Sequence, residues 1–121
     1  MANVDECLKE LSLVGGFVGA CMVDSSTGVM LGALGGGLSI NLQRAATGNS
    51  EVVRAKRKTM DLLGLDDAIE DILITLDKQY HLIRPVGANA DLFIYLVLDR
   101  AEANLGLGRM ALADSEKAFA V

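Results

Sequence analysis

Apolar residues recur along the chain in two spacings, one typical of helices and one typical of strands. In the first segment, "NVDECLKELSLVGG", the apolar side chains of Val4, Leu8 and Leu11 return every three or four residues, which predicts a helix. Asn3 can cap this helix, and Glu6, three residues later, can reach back in the manner of a capping box. The segment therefore predicts an N-terminal helix that ends at the following glycines.

The next two apolar runs predict a β-hairpin. "FVGACMVD" and "VMLGAL" flank the turn sequence "SSTG", and both are apolar at nearly every position. That pattern fits a sheet that is covered at least partly on both faces. After the glycines of "GGG", residues 38–64 predict a long helix with Ser39 as a plausible cap, although Gly48 and Asn49 weaken its first half.

The second half of the chain predicts three strands and a closing helix. The strands are expected at about 69–76, 78–85 and 92–98, and the helix is expected after Asp99, which can cap it with Glu102 three residues later. The predicted fold is α+β, a five-stranded antiparallel sheet with helices on both faces in the order α-β-β-α-β-β-β-α. Residues 1–121 are expected to form a single domain.

Composition narrows the class of function. Hydrophobic residues make up 51% of only 121 residues, so part of the apolar surface is expected to be buried against another subunit. A net charge of -5 and 4% aromatic residues argue against binding of nucleic acid. The acidic, polar N-terminus predicts no signal peptide, no apolar run reaches the ~18 residues of a membrane span, and a cytoplasmic location with reduced cysteines is expected.

Two segments invite a ligand but favour a structural interpretation. "GALGGG" lacks the lysine and the Ser or Thr of a phosphate-binding loop, so it favours a strand-to-helix connection that needs positive φ angles. The acidic cluster "DDAIED" could hold Mg²⁺ or Ca²⁺, but no second carboxylate cluster completes a cage. A solvated start of a strand that discourages mispairing is favoured, and no metal or cofactor is predicted.

The stretch "LDKQYHLIRP" contains the only histidine and the only proline of the chain. A general base at His81 would need a nucleophile, but the G-x-S-x-G motif is absent and neither Cys7 nor Cys21 has an activating context. The stretch is therefore interpreted as a structural strand, no catalytic residue is predicted, and His81→Ala is expected to leave partner binding intact.

The densest basic run lies in the long helix. Helical spacing places Arg54, Arg57, Lys58 and Asp61 on one face. This face is either simply solvated, or it docks on an acidic partner or on the acidic cluster of a neighbouring subunit.

Several segments together resemble the Roadblock family, which includes dynein light chains and bacterial partners of small Ras-like GTPases. The similar segments are "GFVGACMVDSSTGVMLGA", "AATGNSEVVRAKRKTMDLLG", "IEDILITLDKQYHLIRPV" and "LFIYLVLDRAEANLGLGRMAL". The resemblance covers nearly the whole chain and rests on the order of the elements, since none of the segments is a catalytic motif.

The resemblance implies a homodimer in which the third strands of two protomers pair and the long helices pack across the joined sheet. The candidate residues for this interface are Val53, Met60, Leu63, Ile69, Leu73 and Thr75. It also implies a protein that is not an enzyme and that binds a small Ras-like GTPase, with Arg54, Arg57, Lys58 and Asp61 as candidate contacts. The alternatives are a structural adaptor of a larger assembly and a small-molecule sensor, for which no convergent polar residues are found.

Overall fold

The computed structural model describes residues 2–119, which form one five-stranded antiparallel sheet flanked by three helices. The strands lie side by side in the order β2-β1-β5-β4-β3. The predicted fold class and order of elements are confirmed. The elements are α1 Val4–Leu11, β1 Phe17–Asp24, β2 Val29–Gly35, α2 Leu42–Leu62, β3 Ile72–Thr75, β4 Gln79–Val86, β5 Asn89–Asp99 and α3 Leu105–Ala118.

The helix starts follow short polar side chains that satisfy the first free backbone N–H groups. The capping box of α1 is confirmed, since the Glu6 amide donates to Asn3 Oδ1 at 2.9 Å and the Asn3 amide donates to Glu6 Oε1 at 3.2 Å. The predicted caps of the other two helices are wrong. Asn41 caps α2 instead of Ser39, and Asn104 caps α3 instead of Asp99.

The reason for the displaced start of α3 is that β5 continues through Asp99. The Asp99 amide donates to the carbonyl of Gly16 at 2.7 Å, so this residue still belongs to the sheet. Its carboxylate accepts from the Ala101 amide at 3.1 Å and stabilises a turn, and the helix begins only after Asn104.

The two faces of the sheet carry separate cores. On the face that packs against α1 and α3, the core is formed by Leu8, Leu11, Ala20, Met22, Leu82, Val86, Ile94, Leu96, Leu98 and Leu112. On the face that packs against α2, the core is formed by Cys21, Val23, Leu42, Ala46, Val53, Ile83, Phe93, Tyr95 and Val97. The central strand β5 contributes to both cores, because successive side chains of a strand point to opposite faces.

The two strands of the first hairpin are covered to different degrees. In β1 the residues from Gly19 to Val23 are buried, as its apolar sequence predicts. The same expectation is wrong for β2, in which Val29, Leu31 and Leu34 are exposed. β2 is the edge strand, so side chains at its outer positions have no neighbouring strand to pack against.

The glycine-rich connection is a backbone device, as predicted. Gly35, Gly36 and Gly37 have φ angles of 76°, 84° and 51°, which favour glycine. At Gly35 a side chain is also excluded by space, because a Cβ would lie 2.6 Å from the Val18 carbonyl oxygen. The segment reverses the chain from β2 towards α2.

Candidate interaction surface

α2 covers only part of its face of the sheet. The helix lies over β1 and β2, and it leaves the far side, formed by β3 and β4, partly open. On that side Ile74 is 36% exposed, and Gln79 and His81 are half-buried. This side of the sheet therefore lacks a complete cover within residues 2–119.

The open part forms a groove of about 540 Å³ between α2 and β3, called the α2–β3 groove below. Its lining is mainly apolar, with charged side chains among its members. The lining residues are Val52, Lys56, Met60, Leu65, Asp67, Ala68, Ile69, Asp71, Ile72 and Ile74. A smaller pocket beside it shares Met60 and Ile69 and continues to Arg57, Asp61 and Pro85.

The groove is bordered by a free strand edge. β3 pairs with β4 in a regular antiparallel register, from Ile72 opposite Ile83 to Thr75 opposite Tyr80, and its other edge has no strand partner among residues 2–119. Its sequence "ILIT" has no glycine, proline, charge or bulge. A β-prone edge without such protection is a template for pairing with another strand.

The six candidate interface residues do not form one patch. Val53 is 1% exposed and packs in the core of its own chain, whereas Met60 and Ile69 line the α2–β3 groove. Leu63, which is 64% exposed, caps the C-terminal end of α2.

The predicted strand face needs a correction. Leu73 and Thr75 pair with Leu82 and Tyr80, so they lie on the α1/α3 face of the sheet, and Ile69 precedes β3 by three residues. Ile72 and Ile74, rather than Leu73 and Thr75, lie on the α2 side of the sheet. They are the other alternation of the same strand, and periodicity does not decide which alternation faces which helix.

The predicted partner contacts lie on one stripe of α2 but differ in their surroundings. Arg54 donates to the carbonyl of Ser25 in the β1–β2 turn, so its guanidinium is bound within its own chain. Arg57 is half-buried, Lys58 and Asp61 are exposed, and no ion pair of these three is found within residues 2–119. They are free to contact a partner.

The acidic segment before β3 is held by two arginines. Arg109 of α3 grips the Asp71 carboxylate with two hydrogen bonds of 2.9 and 3.0 Å. Arg84 of β4 binds Glu116 at 2.9 Å and lies 3.9 Å from Glu70. Two of the four carboxylates of the cluster are thus paired with cations, and within the described part of the chain no acidic, His or Cys group has the geometry of a metal site.

His81 belongs to a chain of polar side chains. Its Nε2 lies 2.8 Å from Gln79 Oε1, and its Nδ1 lies 2.9 Å from the hydroxyl of Tyr95. Burial lowers the pKa of His81 and raises the pKa of Tyr95 to about 12. The imidazole is therefore held in its neutral form between an amide and a phenol, and neither neighbour is a nucleophile with an orienting carboxylate.

The thiols are equally unsuited to nucleophilic chemistry. Burial raises the pKa of Cys7, with the Glu6 carboxylate as a further cause, and burial raises the pKa of Cys21 to about 12.

None of the helices in residues 2–119 has the length and apolar character needed to cross a bilayer. The α2–β3 groove combines an apolar lining with a free strand edge, which makes it the candidate interaction surface.

Comparison with known proteins gives a likeness of fold. No family model and no curated protein matches the chain. The Roadblock/LC7 domain from Streptomyces avermitilis superposes with a TM-score of 0.80 at 13% identity, over 97% of this chain and 94% of that one.

Two MglB structures are similar to the chain as well. MglB from Myxococcus xanthus has a TM-score of 0.76 at 18% identity, over 94% of this chain and 85% of that chain. The gliding protein MglB from Thermus thermophilus has a TM-score of 0.71 at 20% identity, over 94% of this chain and 88% of that chain. The chain therefore has the fold of the Roadblock/LC7 domain.

Proposed function

We propose that this chain is a non-enzymatic homodimer that binds a small Ras-like GTPase and modulates its nucleotide cycle. The observation that carries the proposal is the unprotected edge of β3 beside an apolar groove that α2 leaves half covered. In this proposal residues 1–121 act as one Roadblock-like domain in the cytoplasm.

The dimer part of the proposal follows from surface that a single chain leaves unsatisfied. Pairing two β3 edges would give the free N–H and C=O groups of both strands a partner. The same arrangement would bring a second α2 over Ile72, Ile74 and Met60. Burial of apolar side chains contributes roughly 25 cal/mol per Å², so closing both grooves favours association.

A fold neighbour supports self-association. One MglB structure, described as having a tetrameric arrangement, matches this chain with a TM-score of 0.70 at 20% identity. That arrangement is a property of the neighbour. For this chain it adds weight to the argument from the open groove.

The partner part of the proposal rests on the outer stripe of α2. Arg57 and Asp61 line the pocket beside the groove, and Lys58 follows Arg57 on the same stripe. The three residues carry both signs of charge and are not paired with each other in the ion pairs of residues 2–119. Charges of this kind steer and orient a partner more than they add affinity. A GTPase can be regulated by a protein that orders its switch loops, without supply of an arginine in trans.

The oligomeric state is the first test. Sedimentation equilibrium over a wide range of chain concentrations should show a monomer–dimer equilibrium for the wild type. A wild-type chain that remains monomeric at every concentration would contradict the dimer.

Partner binding is tested by capture of purified small Ras-like GTPases from the same cell, loaded with GDP or with a non-hydrolysable GTP analogue. Preference for one nucleotide state, lost in the Arg57→Glu/Lys58→Glu variant, is the expected result, and Arg44→Glu at the other end of α2 is the control. Equal capture in both states would favour a structural adaptor. No capture, with a melting temperature raised by a metabolite, would favour a small-molecule sensor.

A further inference from the structure

The position of the β3 edge depends on few contacts. β3 has four residues and one strand neighbour, and residues 65–71 before it have no regular secondary structure. A short edge strand after an irregular connection is held weakly by backbone bonds alone. Asp71, the residue directly before β3, is bound by a side chain of α3.

Arg109 reaches Asp71 from the opposite layer of the molecule. Its Nε and one terminal nitrogen bind the two carboxylate oxygens at 2.9 and 3.0 Å, which is the fork geometry of a bidentate pair. The Asp71 side chain is only 12% exposed, whereas the Arg109 side chain is 48% exposed. The carboxylate is thus largely removed from water and depends on the arginine for its hydrogen bonds.

The helix that carries Arg109 packs closely against the sheet. Gly108, the preceding residue, lets α3 approach the central strand so closely that a Cβ there would lie 2.6 Å from Leu98 Cδ1. α3 is therefore pressed onto β5, and Arg109 projects from a fixed point of the core towards the edge of the sheet. This ion pair is called the Arg109–Asp71 clasp.

We propose that Arg109 is a positioning residue for the β3 edge, and that the clasp fixes the start of β3 in the place and register that a second copy of the chain pairs with. The inference rests on the proposed homodimer. It assigns to α3, which lies on the far side of the sheet from the groove, a role in assembly.

The clasp also explains why the acidic segment next to the β3 edge does not prevent pairing with another strand. Asp71 would place an uncompensated charge directly before the first residue of the pairing strand, and the arginine neutralises that charge. Removal of the arginine should loosen β3 and leave the charge of Asp71 to repel the second copy. Removal of the carboxylate should loosen β3 without leaving such a charge.

The test compares Arg109→Gln, Asp71→Asn, the double variant and the charge exchange R109D/D71R, with Lys117→Gln as a control for an exposed cation of the same helix. Sedimentation equilibrium gives the dimer dissociation constant of each. Amide hydrogen exchange of β3 and β1 is followed at concentrations below and above that constant.

We expect Arg109→Gln to weaken the dimer about fivefold, since the guanidinium is half exposed to water and an ion pair screened in this way contributes on the order of 1 kcal/mol. The double variant should be little weaker than the worse single variant, and the charge exchange should restore part of the affinity. Exchange of the β3 amides should quicken at low concentration, with the exchange of the β1 amides unchanged.

Three results would overturn the clasp. These are wild-type affinity with wild-type exchange in Arg109→Gln, an equal effect of Lys117→Gln, and loss of affinity that the charge exchange does not restore at all. A wild-type chain that never dimerises would contradict the proposed function instead, and the exchange of β3 would still decide whether the clasp orders the edge.

Discussion

The two edge strands of the sheet differ in protection, since β2 is guarded against pairing and β3 is not. In β2 the register shifts between Met22 and Val23 of its partner, so that Leu31 is an extra, unpaired residue. α1 lies over the same strand, and a Cβ at Gly32 would come within 2.6 Å of Val4 Cγ1. A bulge and a covering helix are both common protections of an edge.

β3 has neither protection. Its ladder to β4 is regular over all four residues, and α2 stops short of covering it. What stands beside it is the α2–β3 groove, into which a second apolar surface can fit. One end of the sheet is thus closed to pairing and the other is open.

Exposure of apolar side chains alone would favour the other end of the sheet, at β2. Val29 and Leu31 of β2 are 54% and 46% exposed, whereas Leu73 and Ile74 of β3 are 37% and 36% exposed. Backbone regularity and an adjacent groove, rather than the most exposed leucine, distinguish a surface that can accept another chain.

The largest effect is expected from a charge placed on the open edge. Ile74→Asp would bury an unpaired carboxylate against the second copy and should weaken the dimer about a thousandfold, measured by sedimentation equilibrium. Leu31→Asp puts the same charge on the guarded edge and should leave the dimer intact. The reverse pattern would place the interface at β2.

The next effect concerns the backbone that ends β2. Gly35→Ala should cost about 3 kcal/mol of unfolding free energy, because φ is 76° and the Cβ would meet a carbonyl oxygen that cannot move aside. Gly37→Ala meets no atom within 4 Å and should cost about 1 kcal/mol from its φ of 51° alone. Urea unfolding measures both, and equal losses would argue against the close contact at Gly35.

A smaller effect is expected from protonation of His81, which should destabilise the β3–β4 end of the sheet before the β1–β2 end as the pH falls. Because burial lowers the pKa of His81, the unfolded chain takes up a proton first as the pH falls below about 6.5, and the folded state loses stability in that window. Urea midpoints at pH 7.5 and 5.5 should therefore differ, and the difference should shrink in His81→Asn. Hydrogen exchange should show loosening of β3 and β4 before β1 and β2.

The smallest effect lies at the guarded end. The Ser26 hydroxyl and then its backbone N–H donate to Asp24 and hold the pKa of that carboxyl below its ordinary value. The contribution of this turn to the stability of the folded state is fully present at pH values above the ordinary carboxyl pKa. It is lost as the pH falls through the lowered pKa of Asp24. An NMR titration should show the Asp24 pKa rising in Ser26→Ala, and an unchanged pKa would remove the hydroxyl as its cause.

Most of the fold could be predicted from local sequence patterns. The capping box at Asn3 and the bounds of β1 follow from residues within a few positions of each other, and the structure agrees with both. The starts of α2 and α3 were displaced because a nearer asparagine competed with the expected Ser39 and Asp99, and because β5 ran further than its apolar core. Boundaries depend on such competition, which the pattern does not resolve.

The candidate surface was less accessible to sequence reasoning. The stripe of α2 could be predicted from helical spacing, but the bond from Arg54 to Ser25 joins residues 29 positions apart. The Arg109–Asp71 clasp spans 38 positions, and the facing alternation of β3 depends on where α2 lies over the sheet. These are products of tertiary packing, which periodicity does not encode.

The partial cover that α2 gives the sheet has a consequence for the life of the chain in a cell. In the proposed homodimer, a newly made monomer displays a β-prone edge and an apolar groove until it pairs with a second copy, so it is exposed to proteases, chaperones and foreign strands for a time set by its concentration. We expect its half-life to lengthen as its expression rises. Gene dosage would then act on abundance twice, through synthesis and through protection from turnover.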